Sequence, residues 1–360
     1  MKILLACGGT GGHLFPGIAL AETFEERVPG VEIVFVGTPR GLEKDVLPKT
    51  HWRLEMIASQ SLADKKGIKK IEAGFGLFKT LKASCHLIKK EKPDLVIGIG
   101  GYAAGPILMM ASLLRKPTLT VEPNAIPGMT TRLLKPFVDR VVVAYPQLEE
   151  KFGAKKARFF GVPVRKSIIK GAKMATFMGK KVVFIFGGSQ GAKTINEGIL
   201  EALPFLKALN DRIYFIHQIG KQTPVHLVEK AYLENGFQAE VYPFVEKMGP
   251  IYGRADLVIA RAGANTLAEL VALAKPSLLI PYPHAAGGHQ EWNARSLEKE
   301  GGTKVLLDSE ATGEKLAMEI RALLESPGML KRMERSLEKL GGNQAADKIV
   351  EECLRLIKHV

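Results

Sequence analysis

His13 closes the stretch GGTGGH at 8–13. Histidine is the commonest general base near neutral pH, so its place at the start of a helix suits it to take a proton from a hydroxyl. The alternative is a histidine that only caps or packs. Ser189 and Gln190 lie in a second glycine-rich stretch, GGSQGA at 187–192. A helix that opens from such a turn offers unpaired N–H groups and the positive end of its dipole, which is chemistry for a phosphate. Ser189 adds a hydroxyl donor, and Gly191 lets a ligand approach the backbone. The turn is neither a Walker A loop nor a GxGxxG fingerprint, and a Gly-Gly turn alone is often only structural. Glu122 and Asn124 stand just past a strand in EPNAIPG at 122–128, where open α/β sheets place ligands. Glu269 follows a third such turn, ARAGA at 260–264. His284, His289, Gln290 and Asn293 make a polar cluster that is dense for a loop, with capping and surface polarity as the plainer account.

Groups in these places need repeated strand–turn–helix units. In the first half, residues 2–7, 31–37, 51–58, 94–100, 117–122 and 139–145 read as strands. They are short apolar runs rich in β-branched residues, which suits buried parallel strands. A helix is expected from about 16 to 27, with Pro16 in its first turn. GGYAAGP at 100–106 is one more glycine-rich turn into a helix. The second half repeats the pattern, with strands near 182–187, 213–219, 239–243, 256–260, 277–281 and 304–307. Residues 189–191 are expected to open the helix after the first of these. Alternation of strand and helix predicts parallel βαβ units. The segment 161–180 has no clear period and reads as the link between halves.

The fold class expected is therefore α/β, with two doubly wound Rossmann-like domains facing across a cleft, one substrate on each. The domains are placed at 1–162 and 163–340. A helix over 341–360 is expected to return to the first.

At 360 residues, with 46% hydrophobic and 24% charged side chains, the chain suits two globular domains. No apolar run reaches the roughly 18 residues needed to cross a bilayer. The N-terminal MKILLACGGTGG is too short and glycine-rich for a signal peptide. Its three cysteines, Cys7, Cys85 and Cys353, show no metal-ligand spacing, so a reducing cytoplasm and no zinc are expected. The net charge of +14 calls for an acidic partner, be it nucleic acid, an anionic membrane or a phosphorylated substrate. Nine lysines against two acids lie between Lys65 and Lys92, interleaved with Phe75, Leu77 and Phe78. One account is a solvated basic face on a core helix. The other is a membrane contact in which Phe75, Leu77 and Phe78 dip in while lysines such as Lys79 and Lys82 meet anionic head groups. Few aromatic and arginine side chains occur there, which disfavours a nucleic-acid stacking platform.

The motifs GGTGGH, GGY-x-x-GP, E-x-N-x-x-PG, G-x-PVR, GGSQGA, RAGA-x-T-x-AEL and HQ-x-x-NA occur in that order over nearly the whole chain. Together they resemble the MurG-type N-acetylglucosaminyltransferases of the GT-B fold. The resemblance implies transfer of N-acetylglucosamine from UDP-N-acetylglucosamine to the 4-hydroxyl of the muramyl sugar of lipid I, giving lipid II for peptidoglycan. It implies inversion at the anomeric carbon, no metal and no cofactor, and a peripheral place on the cytoplasmic face of the membrane. The implied donor residues are Thr10, Gly11, Gly12, Asn124, Arg165, Ser189, Gln190, Phe244, Val245, Ala264, Asn265, Thr266, Glu269, His289 and Gln290. Among them Ser189 and Gln190 would meet the diphosphate, Arg165 and the backbone at Phe244 and Val245 the uracil, and Glu269 the ribose. The acceptor pyrophosphate would lie on Gly11, Gly12, Gly100, Gly101 and Tyr102, with Glu122 and Asn124 nearby. His13 would be the base and Glu122 the next in line. Pro123, Val162, Ala104 and His289 depart from the family's usual residues. The alternatives are another GT-B transferase with a different lipid-linked or sugar acceptor, or a non-catalytic nucleotide-sugar sensor.

Overall fold

A computed structural model describes residues 1–58, 69–173, 179–188 and 190–358. The chain forms two compact units, Met1–Arg165 with Gln344–Val360, and Lys166–Asn343.

The first unit runs β1 (Lys2–Ala6), α1 (Gly11–Arg27), β2 (Glu32–Gly37), α2 (Glu43–Val46), β3 (Arg53–Met56), α3 (Lys69–Glu91) and β4 (Leu95–Gly98). It continues with α4 (Gly101–Leu113), β5 (Thr118–Glu122), α5 (Met129–Leu134), β6 (Arg140–Val143), α6 (Pro146–Phe152) and β7 (Ala157–Phe159). Among the described residues these strands make one parallel sheet in the order β3-β2-β1-β4-β5-β6-β7. Both faces are covered, which is why the strands read as unbroken apolar runs. On one face Ile3 and Leu5 pack with Leu14, Leu20 and Phe24 of α1. On the other Leu4 and Ala6 pack with Leu87 and Ile88 of α3 and Ile107 and Leu108 of α4.

The second unit runs α7 (Lys166–Lys173), β8 (Lys181–Phe186), α8 (Lys193–Leu206), β9 (Ile213–Gln218), α9 (Val225–Glu234), β10 (Gln238–Tyr242) and α10 (Met248–Arg254). Then come β11 (Leu257–Ala260), α11 (Ala264–Ala272), β12 (Ser277–Leu279), α12 (His289–Lys299), β13 (Thr303–Val305), α13 (Gly313–Glu325) and α14 (Met329–Glu338). Its sheet is also parallel, in the order β10-β9-β8-β11-β12-β13. The strand order reverses direction once in each sheet, between β1 and β4 and between β8 and β11. Open α/β sheets bind ligands beyond the strand ends at such a point. The last helix, α15 (Ala345–Lys358), lies in the first unit, where Ile349, Val350 and Cys353 join the core of α1.

Several expectations need correction. Helix α1 begins at Gly11, so Pro16 stands inside it rather than in its first turn. The proline only deprives the Gly12 carbonyl of its usual partner, and the helix tolerates that near its start. The segment 161–180 is not all linker: Lys166–Lys173 is α7, whose Ile168 is buried. Gly171 lets α7 meet α10, since a Cβ there would lie 3.2 Å from the Gly249 Cα. That packing moves the division between units from 162/163 to Arg165–Lys166. Residues 157–159, for which the sequence pattern predicts no strand, form β7 on the sheet edge.

Candidate active site

In the first unit the turns after β1 and β4 meet. Gly101 has φ +77°, and a Cβ on it would fall 1.9 Å from the Gly8 carbonyl oxygen. No other residue fits so close an approach in that conformation. Gly100, at φ +96°, makes room for His13 instead: a Cβ there would lie 2.8 Å from the imidazole Nε2. His13 sits in the first turn of α1, with Nδ1 3.4 Å from the Thr10 hydroxyl. Burial lowers its pKa below the ordinary histidine value, and a hydrogen bond to the Gly8 backbone and the charge of Glu43 oppose this more weakly. The imidazole is therefore neutral at pH 7, as a general base must be. The first subset of expected acceptor residues, Gly11, Gly12, His13, Gly100 and Gly101, thus gathers at one switch point. The side chain of Tyr102 lies outside the described residues.

Glu122 is buried, and its carboxylate is committed to the loop that follows it. Oε1 accepts from the Asn124 N–H at 3.0 Å and from Asn124 Nδ2 at 3.2 Å, and Oε2 accepts from the Gly128 N–H at 2.9 Å. Glu122 therefore orients Asn124. Arg165 ends the first unit, with its guanidinium 4.1 Å from the centre of the Phe15 ring. Of the expected donor residues, Thr10, Gly11, Gly12, Asn124 and Arg165 belong to this unit and the others to the second.

Glu43 was not singled out from the sequence. It is fully buried, accepting from the Gly9 N–H at 3.0 Å, the Thr38 N–H at 2.6 Å and the Thr38 hydroxyl at 3.2 Å. An acid just past the second strand of a Rossmann unit often meets a ribose. Here it points into the protein. The pattern G-x-x-x-G-x-E at 37–43 is the signal that could have found it. A Cβ on Gly37 or Gly41 would collide with its side chain, at 2.3 and 2.0 Å.

In the second unit the turn at 187–192 precedes the helix instead of opening it. Gly188 (φ +92°) and Gly191 (φ +79°) are left-handed, and the Gly191 N–H donates to the Gly188 carbonyl at 3.0 Å. Helix α8 starts only at Lys193, so its first-turn amides lie C-terminal to the stretch expected to supply them. The left-handed Gly191 is what breaks the helix there. A Cβ on it would also lie 2.3 Å from the Ile219 carbonyl oxygen. Ser189 lies outside the described residues; Gln190 is exposed in the turn.

Two side chains of β9 were also missed in the sequence, and the first of them holds this turn. Gln218 is buried, donating through Nε2 to the Gly188 carbonyl at 2.9 Å and accepting through Oε1 from the Val245 N–H at 3.1 Å. His217 bridges the Tyr232 hydroxyl (3.0 Å) and the Asn196 side-chain oxygen (3.2 Å), and Asn196 donates to the Ile219 carbonyl at 2.8 Å. Complete burial pushes the His217 pKa down to about 3, so this chain is neutral and structural. Phe244 beside it is exposed and Val245 buried.

Across the switch point, α11 opens at Ala264, placing Ala264, Asn265 and Thr266 in its first turn. Arg261 anchors the turn before it, bonding to Asp308 and to the Ile280 and Pro281 carbonyls, both at 3.2 Å. Glu269 accepts from the hydroxyl of buried Tyr252 at 2.9 Å. Helix α12 starts at His289 after left-handed Gly287 and Gly288, and Gln290 accepts from the Tyr282 N–H at 3.0 Å. The second unit thus carries two helix starts, a glycine turn and an oriented carboxylate around one switch point, a set of groups suited to a nucleotide diphosphate. Among the described residues no group of His, Cys, Asp and Glu has the spacing to hold a metal.

Residues 3–143 match the glycosyltransferase family 28 N-terminal domain and residues 182–350 its C-terminal domain. The chain belongs to glycosyltransferase family 28. Within this family it is 43% identical, over 99% of its length and 93% of the relative's, to the UDP-N-acetylglucosamine--N-acetylmuramyl-(pentapeptide) pyrophosphoryl-undecaprenol N-acetylglucosamine transferase of Myxococcus xanthus. The crystal structure of Acinetobacter baumannii MurG superposes with a TM-score of 0.81 at 29% identity, covering 99% of this chain and 100% of that one. The calicheamicin glycosyltransferase CalG4 shares the GT-B fold at 15% identity, with a TM-score of 0.68 over 97% of each chain. The fold expected from the sequence is thus the fold found: two Rossmann-like α/β domains of the GT-B type. The family-28 match spans both switch points described above.

Proposed function

We propose that this protein transfers N-acetylglucosamine from UDP-N-acetylglucosamine to the 4-hydroxyl of the N-acetylmuramyl sugar of lipid I, forming lipid II. The observation that carries the reading is the full-length likeness to enzymes bearing that name. The neutral His13 wedged against Gly100 supports it, because the reaction needs a base at the acceptor oxygen.

In the proposed step the acceptor oxygen attacks the anomeric carbon as the bond to the UDP oxygen breaks. His13 takes the hydroxyl proton, and UDP leaves with the electron pair of the broken bond. In-line attack inverts the anomeric configuration. The charge that develops on the diphosphate would be met by backbone N–H groups of the 187–192 turn and the start of α8, and by the dipole of that helix. Glu269, oriented by Tyr252, would accept from the ribose hydroxyls. The Phe244–Val245 backbone and Arg165 would recognise uracil, and Ala264, Gln290 and Asn124 the sugar. The reading requires no metal and no cofactor; UDP-N-acetylglucosamine is a substrate.

The acceptor is lipid-linked, so the enzyme would work at the cytoplasmic face of the membrane. No helix of the described residues is long and apolar enough to cross one. Leu77 and Phe78 of α3 are exposed beside exposed Lys79 and Lys82, while the side chain of Phe75 lies outside the described residues. Helix α4 packs against both α3 and α5 and ends in exposed Leu113; α5 exposes Met129 and Leu133. Such apolar groups among lysines suit a surface that rests on anionic lipid.

The test is release of UDP from UDP-N-acetylglucosamine with and without a short-chain lipid I analogue. Release that depends on the analogue supports the reading. Tight UDP binding without acceptor-dependent release would overturn the acceptor assignment and leave a different GT-B acceptor or a sensor.

A further inference from the structure

The turn after β1 is held by a segment that the proposed chemistry does not use. Gly9, at φ +100°, is where the chain leaves β1 and bends toward α1, and no atom lies within 4 Å of the place its Cβ would take. Side-chain packing therefore does not fix it. Two hydrogen bonds from the segment after β2 do. The Leu42 N–H donates to the Gly9 carbonyl at 3.2 Å, and Glu43 Oε2 accepts from the Gly9 N–H at 3.0 Å. Both ends of this residue are thus gripped by consecutive residues of one loop. Leu42 also reaches the next helical turn, where a Cβ on Gly11 would lie 3.6 Å from its Cδ2.

Glu43 is in turn fixed. Its other oxygen accepts from the Thr38 N–H and hydroxyl, at 2.6 and 3.2 Å. Gly8, Gly37 and Gly41 enclose the carboxylate so closely that a Cβ on any of them would come within 2.8 Å of a Glu43 atom. A fully buried carboxylate is costly unless its oxygens are bonded. This one is bonded at both, and three glycines are spent on making room for it. Simple packing would be served by a leucine.

We propose that Glu43 is a positioning residue for acceptor recognition, setting the conformation of the 8–13 turn through the Gly9 N–H. The inference rests on the reading that this turn receives the acceptor pyrophosphate. Glu43 touches no substrate. It acts through Gly9, on the first turn of α1 and on His13.

The test is Glu43→Gln in the full chain. The amide keeps one carbonyl oxygen, which serves the two Thr38 donors, and turns its NH2 toward the Gly9 N–H. Loss of the Gly9 bond should raise the KM for a short-chain lipid I analogue at least tenfold. The Kd for UDP, whose expected contacts at Gln190, Phe244, Val245 and Glu269 lie in the second unit, should stay within twofold of wild type. A purely structural role would lower the active fraction, so kcat would fall with the acceptor KM unchanged, and that result overturns the proposal. Hydrogen exchange of the Gly9 amide in unliganded wild type gives a second reading that no misfolding can blur. Slow exchange supports the clamp, and exchange at the rate of an open loop overturns it. Wild type lacking acceptor-dependent UDP release would overturn the functional reading itself, and this proposal with it. A normal wild type with an unaltered Glu43→Gln acceptor KM would overturn the proposal alone.

Discussion

Replacing Gln218 should separate what the glycine turn at 187–192 owes to one side chain from what it owes to its own backbone. Leucine has nearly the volume of glutamine but no polar atoms. Gln218→Leu would leave the buried Val245 N–H without its acceptor at 3.1 Å and remove the bond at 2.9 Å to the Gly188 carbonyl, which keeps the Gly191 N–H at 3.0 Å. The unpaired Val245 N–H costs about 1–3 kcal/mol, the lost second bond to the Gly188 carbonyl about 0.5–1.5 kcal/mol, and the added apolar surface returns about 1 kcal/mol. The expected net loss is about 1–3 kcal/mol, a sizeable part of a typical domain's stability. The assay is urea unfolding, comparing midpoints at equal slope. A change below about 0.5 kcal/mol would show that the turn holds itself, and would refute the reasoning. Gln218→Glu refines the test. It keeps an acceptor for Val245 but sets a carboxylate against the Gly188 carbonyl. It should weaken UDP about tenfold, worth about 1.4 kcal/mol, and spare uridine, which does not reach the diphosphate turn. Equal losses for both ligands would mean the turn and the base site are not independently held.

Four further outcomes are expected. His13→Ala should lower turnover by about 10²–10⁴-fold while sparing UDP binding; because burial holds the imidazole below its ordinary pKa, the acid limb of the wild-type pH–rate profile should lie below pH 6.5. An acid limb above that value would remove His13 from the base role. His217 is neutral when folded down to about pH 3 but titrates near 6.5 when unfolded, so stability should rise with pH between these limits, by at most about 1.4 kcal/mol per unit, and be fully present above 6.5. Calorimetry at pH 5 and 7 checks this, and a His217→Asn protein should lack that part of the slope. Gly191→Ala forces a Cβ into left-handed backbone and to 2.3 Å from the Ile219 oxygen, so it should destabilise by more than about 2 kcal/mol in chemical denaturation; a neutral result would mean the turn relaxes freely. Phe78→Asp should reduce sedimentation with anionic vesicles and leave UDP binding intact. Undiminished sedimentation would place the membrane contact elsewhere.

Much of this protein could be read without coordinates, for identifiable reasons. Parallel strands buried on both faces leave unbroken apolar runs, and β1 and β8 stand out for that reason. Glycine turns mark where strands give way to helices, so Gly100, Gly101, Gly188 and Gly191 were legible by type. Their geometry was not. Whether a helix starts at Ser189 or at Lys193 depends on the sign of φ at Gly191, and glycine accepts either sign. Helix α7 was hidden because its lysines and Gly171 mask a short apolar stripe. Glu43 and Gln218 escaped for a different reason. Each is a polar residue with a partner in another turn, at 34 and 27 to 30 positions' distance, and only the assembled sheet brings them together. Glu122 was seen, but not the three donors that tie its carboxylate to the loop after it.

The first unit is finished by the last helix of the chain. Ile349, Val350 and Cys353 of α15 fill the core against α1, and Glu352 pairs with Arg140 at 2.5 Å. Between β7 and α15 the ribosome must synthesise roughly 180 residues, which at about 5–20 residues per second takes about 10–40 seconds. Throughout that interval the nascent first unit presents an uncovered apolar strip along α1, and only towards its end is the second unit long enough to fold on its own. Helix α15 is thus a late-arriving lid on a part of the molecule made well before it. A chain stopped near Asn343 would carry a complete second unit and a first unit whose core along α1 is open to chaperones and proteases.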